Sequence, residues 1–437
     1  MSNPEFKRNL WLSFSKHRLI GMPALLALTF LAVALADHEN QVADSLYIAS
    51  ISLFIFVVWL WGARNANATI VDELRDKTWD QQRMSALDPW TMTWGKLFGS
   101  TSFNWYGGLM CLIVIASSGF SAGKPDVIAI LLTLCAAGVL VHAALIALNL
   151  HTSQFDSRII QRGGMGWLVI IFVFMFMYIP TLAFKDLKSV SWWGMEIDNA
   201  LFWLDSALLF AACATFAAWR VVSNALQVRT RPWAWPAFAC ILALYFAGFL
   251  PATGRMQPLS MIGLFVSVTL TYVALFTEPS TLLRWRKLRL LQARNDRRGW
   301  LEHLPLWPTT LALSFLFAFL FVLTSLNMHT EYSRADLIQP PQAITIALML
   351  LRDACILLFF AFAPDSKRAV GATMLYLVVL NLLLPFLAGV AGLDWLRYFF
   401  LPVDEAYNPW SGILVMAIHS AIAIALVNWR LRNAGES

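Results

Sequence analysis

The chain has 437 residues, of which 59% are hydrophobic and 13% are charged, and its net charge is +6. So little polar surface cannot cover a soluble globule of this size, so the composition excludes a water-soluble protein and predicts an integral membrane protein. The five cysteines lie inside apolar runs, which indicates small buried side chains rather than a disulfide framework or a metal site.

A bilayer core requires about 20 apolar residues per helix, and runs of that length predict about twelve membrane-spanning helices. In chain order they lie near 19–36, 45–62, 103–121, 126–149, 165–184, 199–219, 233–250, 258–277, 306–326, 341–363, 369–391 and 409–429. The first run follows basic residues but lacks a small-residue cleavage site, so we interpret it as a retained span. The predicted fold class is all-α, a polytopic integral membrane protein.

Lysine and arginine residues concentrate in alternate connections between these spans. Cytoplasmic loops of membrane proteins carry an excess of Lys and Arg, so the distribution predicts that both chain termini are cytoplasmic. The net positive charge then reflects membrane orientation, and nothing in the sequence indicates nucleic-acid binding.

The order of long and short connections predicts an internal duplication. Each half, 1–225 and 226–437, begins with two spans, continues with a long cytoplasmic segment (63–100 or 278–305) and ends with four more spans. Such six-plus-six repeats are common among transporters. The last outer loop of each half is aromatic and forms either short re-entrant helices or an interfacial belt. Its aromatic residues are Trp192, Trp193, Trp395, Tyr398, Phe399 and Phe400.

The first long segment, 63–100, contains a predicted amphipathic helix. Its less polar face is formed by Ile70, Val71, Leu74 and Thr78. We expect this face to lie along the membrane or in a partner's groove. The helix is predicted to end at Leu87 and Asp88, because the residue before a proline is pushed out of the α region. Lys96 is predicted to extend its amine to the membrane interface at the start of the third span.

This segment resembles ABC-2 type ABC transporter permeases. The residues that carry the resemblance are Glu73, Thr78, Arg83, Leu87, Pro89, Trp90, Gly95 and Lys96. In that family an acidic residue, a Gly-Thr pair, a Leu-x-Pro turn and a Gly-Lys pair form a coupling region that fits a groove on the ATP-hydrolysing subunit. The resemblance implies that the docking residues here are Glu73, Leu74, Thr78, Trp79, Arg83, Leu87 and Pro89. The chain departs from the family at Lys77, where glycine is usual, and in its double length.

The second long segment, 278–305, is much more basic than the first. It is interpreted either as a second docking loop or as a juxtamembrane segment that contacts anionic lipid. Its candidate docking residues are Arg286, Arg289, Arg294, Arg297 and Arg298.

The chain contains no phosphate-binding loop of the G-x-x-x-x-G-K-[ST] type, so we predict that it is not an enzyme and binds no cofactor. The resemblance implies a permease of an ATP-driven exporter in the bacterial inner membrane. It would move a hydrophobic or amphipathic cargo, and ATP and Mg²⁺ would be bound by two copies of a separate ABC ATPase. The alternative is a secondary transporter driven by an ion gradient. A membrane-embedded transferase or protease is disfavoured, because the sequence has no HExxH motif and no nucleophile–base constellation.

Polar residues inside predicted spans are candidates for a gradient-driven mechanism. Arg352 and Asp353 lie near the middle of the tenth span, where charge is costly unless it is paired or faces a cavity. They form either a cargo-path or gating pair, or an internal ion pair that holds helices together. Asp205, His142, His419 and Asn381 are weaker candidates, because a lone His or Asn in a span is more typical of an interhelical hydrogen bond than of a proton relay.

Overall fold

A computed structural model of the 437-residue chain describes residues 3–37, 41–84, 87–153, 188–228, 230–250, 256–278, 280–326, 339–363, 368–402 and 409–433. The description below concerns these residues. They are almost entirely helical, with a single two-stranded hairpin among them.

The helices of the amino-terminal part are α1 (Pro4–Ser13), α2 (Lys16–Ala36), α3 (Val42–Phe54), α4 (Gly62–Arg75), α5 (Trp79–Arg83), α6 (Pro89–Gly99), α7 (Ser102–Ser121), α8 (Val127–Ser153) and α9 (Asn199–Ala225). Strands β1 (Ser189–Trp192) and β2 (Met195–Asp198) precede α9. A π-helical turn, Ile55–Trp61, joins α3 to α4 without a break, so Val42–Arg75 is one continuous helix.

The later helices are α10 (Ala234–Ala247), α11 (Met256–Thr277), α12 (Leu282–Ala293), α13 (Arg297–His303), α14 (Trp307–Leu326), α15 (Pro340–Ala361), α16 (Ala369–Val378), α17 (Leu384–Val390), α18 (Asp394–Phe400) and α19 (Pro409–Asn433). A second π-helical turn, Val379–Leu383, joins α16 to α17. All five cysteines have free thiols.

Ten helices of the described chain are long and apolar enough to cross a membrane. They are Lys16–Ala36, Val42–Arg75, Ser102–Ser121, Val127–Ser153, Asn199–Ala225, Gln257–Thr277, Trp307–Ser325, Pro340–Ala361, Ala369–Val390 and Trp410–Asn433. Each coincides with a predicted span, so the all-α, multi-pass class is confirmed. Of the other two predicted spans, 233–250 contains the shorter helix α10, and 165–184 lies outside the described residues.

Contacts group the chain into two compact units: Met1–Ser191 with Met195–Thr230, and Trp192–Gly194 with Arg231–Ser437. In the first unit α3 packs along α7, and α8 packs along α9. In the second unit α11 packs along α14, and α15 packs along α19. Within each unit, therefore, the helices on either side of the long loop pack together, and the last helix packs on one that follows the loop.

In the first unit, side chains of neighbouring helices satisfy the irregular backbone of the π-helical turn. His142 Nε2 lies 2.8 Å from the carbonyl oxygen of Val58, and Asn104 Nδ2 donates to Val57 over 2.9 Å. Substitution of Gly62 by a larger residue would bring a Cβ against the His142 ring. Buried polar groups in a membrane are stable when they are hydrogen-bonded, so His142 has the interhelical role expected of it.

The aromatic outer segments differ from each other. The first was expected to form either a re-entrant helix or an interfacial belt, and its described part, 188–198, is a β-hairpin rather than a helix. Its two-residue turn, Trp193 and Gly194, has φ of 53° and 75°, as tight hairpin turns require. The second segment contains the short helix α18, in which the Tyr398 side chain is buried.

Candidate docking site

The first candidate site begins where the helix Val42–Arg75 leaves the membrane. Its 34 residues are about 51 Å long at 1.5 Å per residue, whereas a hydrocarbon core is about 30 Å thick. About 20 Å of helix, mainly α4, therefore extends beyond the core. The amphipathic segment predicted from the sequence is this extension of the second span and not a separate helix.

A glycine-like C-cap ends α4 at Arg75, well before the predicted end at Leu87. The Lys77 amide donates to the Leu74 carbonyl over 3.4 Å, and the Thr78 amide donates to the Glu73 carbonyl over 3.0 Å. These two bonds define a Schellman motif, whose C′ residue adopts left-handed dihedral angles and is usually glycine. Lys77 holds this position with φ of 58°. The end of this helix predicted from the sequence was wrong, because a lysine at the C′ position does not indicate a Schellman motif as a glycine does.

The return toward the membrane follows the predicted turn. Asp88 is extended, with ψ of 141°, as the residue before a proline should be. Its carboxylate accepts hydrogen bonds from the amides of Trp90 and Thr91 over 3.0 and 3.3 Å, so it is the N-cap of α6. The short helix α5 lies between the two turns.

The apolar face of α4 is occupied within the chain. Ile70 is fully buried and Leu74 is partly buried in a cluster with Trp79, Met92 and residues of α8 and α9. The expectation that this face lies on the membrane or in a partner's groove is therefore wrong. It instead attaches the loop rigidly to the helices of its own unit.

Lys96 is the centre of a buried charge network beneath this loop. Its side chain is 0% exposed, and its amine lies 3.2 Å from Glu5 Oε1 and forms a second ion pair with Glu73. Arg8 completes the network by pairing with both carboxylates. The Lys96 amine also lies 5.2 Å from the centroid of the Trp79 ring, within cation–π range. The predicted extension of Lys96 to the membrane interface is wrong, because two carboxylates hold its amine inside the protein.

Helix α1 reaches this network by packing closely across α6. A Cβ at Gly95 would lie 2.7 Å from Glu5 Cβ, and a Cβ at Gly99 would lie 2.8 Å from Asn9 Cβ. The two glycines, four residues apart, thus permit the approach of the helices, as in other small-xxx-small packings. Asn9 Nδ2 donates to the Glu5 carboxylate over 3.0 Å.

The predicted docking residues of this loop divide into three groups. Glu73, Leu74 and Trp79 point inward and hold the loop. Thr78, Leu87 and Pro89 are half-buried, and the Thr78 hydroxyl donates to the Glu73 carbonyl over 3.2 Å. Arg83 lies at the surface, 3.3 Å from Asp80. Met84, which the sequence analysis did not single out, is 82% exposed beside it.

The second loop has the same kind of helix C-cap as the first. Helix α12 ends in a Schellman motif, in which the Asn295 amide donates to Gln292 and the Asp296 amide donates to Leu291, each over 3.0 Å. Asn295 has φ of 56°. Asp296 then caps α13 by accepting a bond from the Gly299 amide over 2.9 Å.

Glu278 and Arg284 anchor the second loop. They form an ion pair of 2.7 Å, and Arg284 Nε also donates to the His303 carbonyl over 2.9 Å. The other Glu278 oxygen accepts the Leu306 amide over 2.7 Å, at the start of the next helix. Both ends of the loop are therefore held at this one pair.

The predicted docking residues of the second loop again divide. Arg294, Arg297 and Arg298 are exposed at the tip, and Arg298 lies 3.4 Å from Glu302. Arg289 is exposed but donates to Asn428 of α19 over 3.3 Å, and Arg286 is half-buried. The outward basic surface is thus concentrated in 292–298.

The intramembrane pair of α15 is buried and bonded to other protein groups. Arg352 Nη2 lies 2.7 Å from Asp353 Oδ1 and 2.6 Å from Asn381 Oδ1, in the second π-helical turn. Tyr272 of α11 donates to Asp353 Oδ2 over 2.6 Å. Both residues therefore have further partners, as their spacing on the helix predicts. Asp205, the other candidate, is exposed on α9.

Two participants were missed from the sequence, Glu5 and Tyr272. Each is 81 or more positions from its partner, since the Lys96–Glu5 and Tyr272–Asp353 bonds have separations of 91 and 81. The only local signal for Glu5 was its i, i+3 spacing from Arg8. No group of three His, Cys, Asp or Glu side chains that could hold a metal ion occurs among the described residues.

Comparisons of the chain with protein-family models, with curated proteins and with solved structures found no match.

Proposed function

We propose that this multi-pass membrane protein is the permease subunit of an ATP-driven ABC exporter in a bacterial inner membrane, with both termini cytoplasmic. ATP and Mg²⁺ would be bound by a separate cytoplasmic ATPase, because the sequence has no phosphate-binding loop of its own. The cargo class suggested by the apolar spans is hydrophobic or amphipathic: a lipid, a peptide or a small molecule.

One observation carries the proposal: the two long loops share a local design. Each contains a helix that ends at a left-handed residue (Lys77 or Asn295) and is followed by a short second helix before the next span; the first of these helices continues its span, whereas α12 is separate from α11. The first of them contains the residues that resemble the coupling region of ABC-2 permeases. Two loops of like design suit two copies of one ATPase, one at each loop.

The first loop has the stiffness that a coupling element needs. Movement applied to α5 would reach α6 through Trp79 and Lys96, and would reach α4 through Glu73 and Leu74. Packed cores and buried ion pairs transmit displacement because they do not deform continuously. In this proposal Glu73 and Lys96 are positioning residues, while Arg83 and Met84 contact the partner.

The test is capture of the tagged full-length chain in mild detergent, followed by mass spectrometry of proteins recovered with it. The variant is Arg83→Glu with Met84→Asp, both at the exposed surface of the first loop. The matched control is Lys188→Glu with Met195→Asp, which makes the same kinds of change on the exposed outer hairpin. We expect a stoichiometric ATPase with wild type and control, and a loss of at least tenfold with the variant.

Recovery of the chain without an ATPase from all three preparations would overturn the proposal. The gradient-driven alternative would then be tested with Asp353→Asn in proteoliposomes, by measuring cargo movement under an imposed proton gradient. The closed set of protein partners around Asp353 favours a structural ion pair, so we expect no gradient-driven transport to depend on it.

A further inference from the structure

Helix α1 buries polar side chains and exposes apolar ones, which is the reverse of the arrangement expected for a helix in water. The residues that it buries against α6 are Glu5 and Asn9. The residues that it exposes include Trp11, at 82%, and Leu12, at 64%. A helix with an exposed apolar face lowers its free energy by placing that face in the membrane interface.

A groove of about 840 Å³ lies beside this exposed face. Its walls are Pro4, Lys7, Arg8, Leu10, Trp11, Phe14 and Leu19, so it runs from α1 across the bend at Ser15 to the start of α2. Two of the lining residues, Lys7 and Arg8, are cationic, and the other lining residues are apolar. The volume is within the range of about 300 to 1,000 Å³ that is usual for small-molecule sites.

The cations beside this groove differ in their engagement. Arg8 is bound to Glu5 and Glu73 and is therefore fixed in place. Among the described residues, Lys7 and Lys16 have no carboxylate within 4.0 Å, and both are exposed. Arg18, in the first turn of α2, lies with its guanidinium 5.9 Å from the Phe103 ring centroid. The fixed guanidinium of Arg8, the exposed amine of Lys7 and the exposed indole of Trp11 form a site for an anion that carries an apolar chain.

We propose that this groove binds one anionic phospholipid, with its phosphate at Lys7 and Arg8 and an acyl chain along Leu10, Phe14 and Leu19. The same lipid stabilises the position of α1, and through Glu5 the charge network at Lys96. Charge complementarity and the inverted faces of α1 favour a lipid over a soluble anion, because a soluble anion would leave the apolar walls uncovered. This inference does not depend on the proposed transport function.

The experiment is native mass spectrometry of the purified full-length chain, titrated with phosphatidylglycerol or phosphatidylcholine of the same acyl chains. We expect wild type to retain one phosphatidylglycerol at least tenfold more tightly than phosphatidylcholine. The variant Lys7→Gln with Trp11→Ala should weaken phosphatidylglycerol at least fivefold. The matched control, Lys188→Gln with Trp193→Ala on the outer hairpin, should bind as wild type does.

Three outcomes would overturn the proposal. Equal retention of phosphatidylglycerol and phosphatidylcholine by wild type would show that the lipid charge is not recognised. Equal losses of phosphatidylglycerol binding in the variant and the control would show that the lipid does not bind at this groove. A variant that binds lipid normally but changes from dimer to monomer by light scattering would show that a second copy of the chain covers this face. Thermal unfolding of the variant in lipid-free detergent, expected to match wild type, separates loss of binding from loss of folding.

Discussion

The two long loops share a Schellman cap followed by a short helix, but they are held by different chemistry. In the first loop, Lys96 is surrounded by Glu5 and Glu73 with no exposure to solvent, and an additional helix, α1, supplies one of the carboxylates. In the second loop, Arg284 is a quarter exposed and its other partners are backbone carbonyls. The first loop thus depends on long-range side-chain charges, whereas the second depends on a local clasp between its own ends.

The outer surfaces of the loops differ as well. The exposed tip of the second loop, 292–298, carries three arginines and one aspartate, whereas the first exposes acidic and basic residues together. The contrast teaches that loops with the same kind of helix cap do not require equivalent surfaces. Two copies of one partner would therefore meet different electrostatic fields at the two loops.

Removal of the central lysine tests the first loop most severely. We expect Lys96→Met to destabilise the protein by about 3 to 5 kcal/mol, because it leaves two buried carboxylates with one arginine. Thermal unfolding in detergent measures the loss, and limited proteolysis should cut near Lys77 and Arg83. The control Lys188→Met removes an exposed lysine; an equal loss there would contradict the assignment.

Removal of the equivalent anchor should affect the second loop less. We expect Arg284→Met to cost about 1.5 to 3 kcal/mol, the range for hydrogen bonds to a charged group, since Glu278 keeps its bond to the Leu306 amide. Its matched control is Arg298→Met, whose side chain is 79% exposed. If Arg284→Met unfolds the protein as severely as Lys96→Met does, the distinction between the two anchors is wrong.

Neutralisation of the arginines at the tip of the second loop, 292–298, distinguishes partner docking from lipid contact. The change is Arg294, Arg297 and Arg298 to glutamine, and we expect weaker capture of a partner ATPase with folding unchanged, because these side chains are exposed. Rim charges act mainly on association rate and salt dependence. Wild type should therefore lose partner as salt rises, and the variant should lose less.

Unchanged capture combined with about hundredfold weaker binding to anionic vesicles would assign the tip to lipid, since each of the three basic residues near such a surface contributes about 1 kcal/mol. The matched variant is Lys77→Gln with Arg83→Gln in the first loop.

The smallest effects are expected at the two left-handed caps. Lys77→Gly should stabilise the protein by about 1 kcal/mol, because glycine adopts positive φ without the Cβ penalty that lysine carries. Asn295→Gly should gain only a few tenths of that, since asparagine tolerates this conformation. Differential scanning calorimetry measures the stability of both variants. Lys77→Ala is the control, and we expect no gain in stability from it. A larger gain at Asn295 than at Lys77 would reverse the comparison.

The sequence predicted those features that depend on residues close to one another in the chain. The apolar runs gave the ten described spans because a 30 Å hydrocarbon layer sets the length of each helix. Asp88 was correctly placed out of the α region because Pro89 restricts it. The end of α4 was misplaced by the same local reasoning, since lysine at a C′ position carries no signal comparable to glycine.

The sequence did not predict how the loop 63–100 is held in place. Glu73 and Trp79 were expected to face a partner, and Lys96 was expected to face the interface; Trp79 and Lys96 are buried, and the Glu73 carboxylate is paired with Lys96. A helical pattern shows which residues share a face, but it does not show what covers that face. Here α6, α8 and α9 cover the apolar face of α4, and α1 supplies Glu5 to the charge network by its close packing on Gly95 and Gly99.

By itself, the sequence determined that this protein crosses a membrane many times and carries two long charged loops. The length of an apolar run and the distribution of charge are local properties of the chain, and they set where it crosses a bilayer. Only the tertiary structure decided which charges are structural. Lys96 and Glu5 are 91 positions apart, and Asp353 and Tyr272 are 81 apart. Such pairs exist because burial of a charge is costly until a partner is folded against it, and that partner is chosen by packing rather than by sequence spacing.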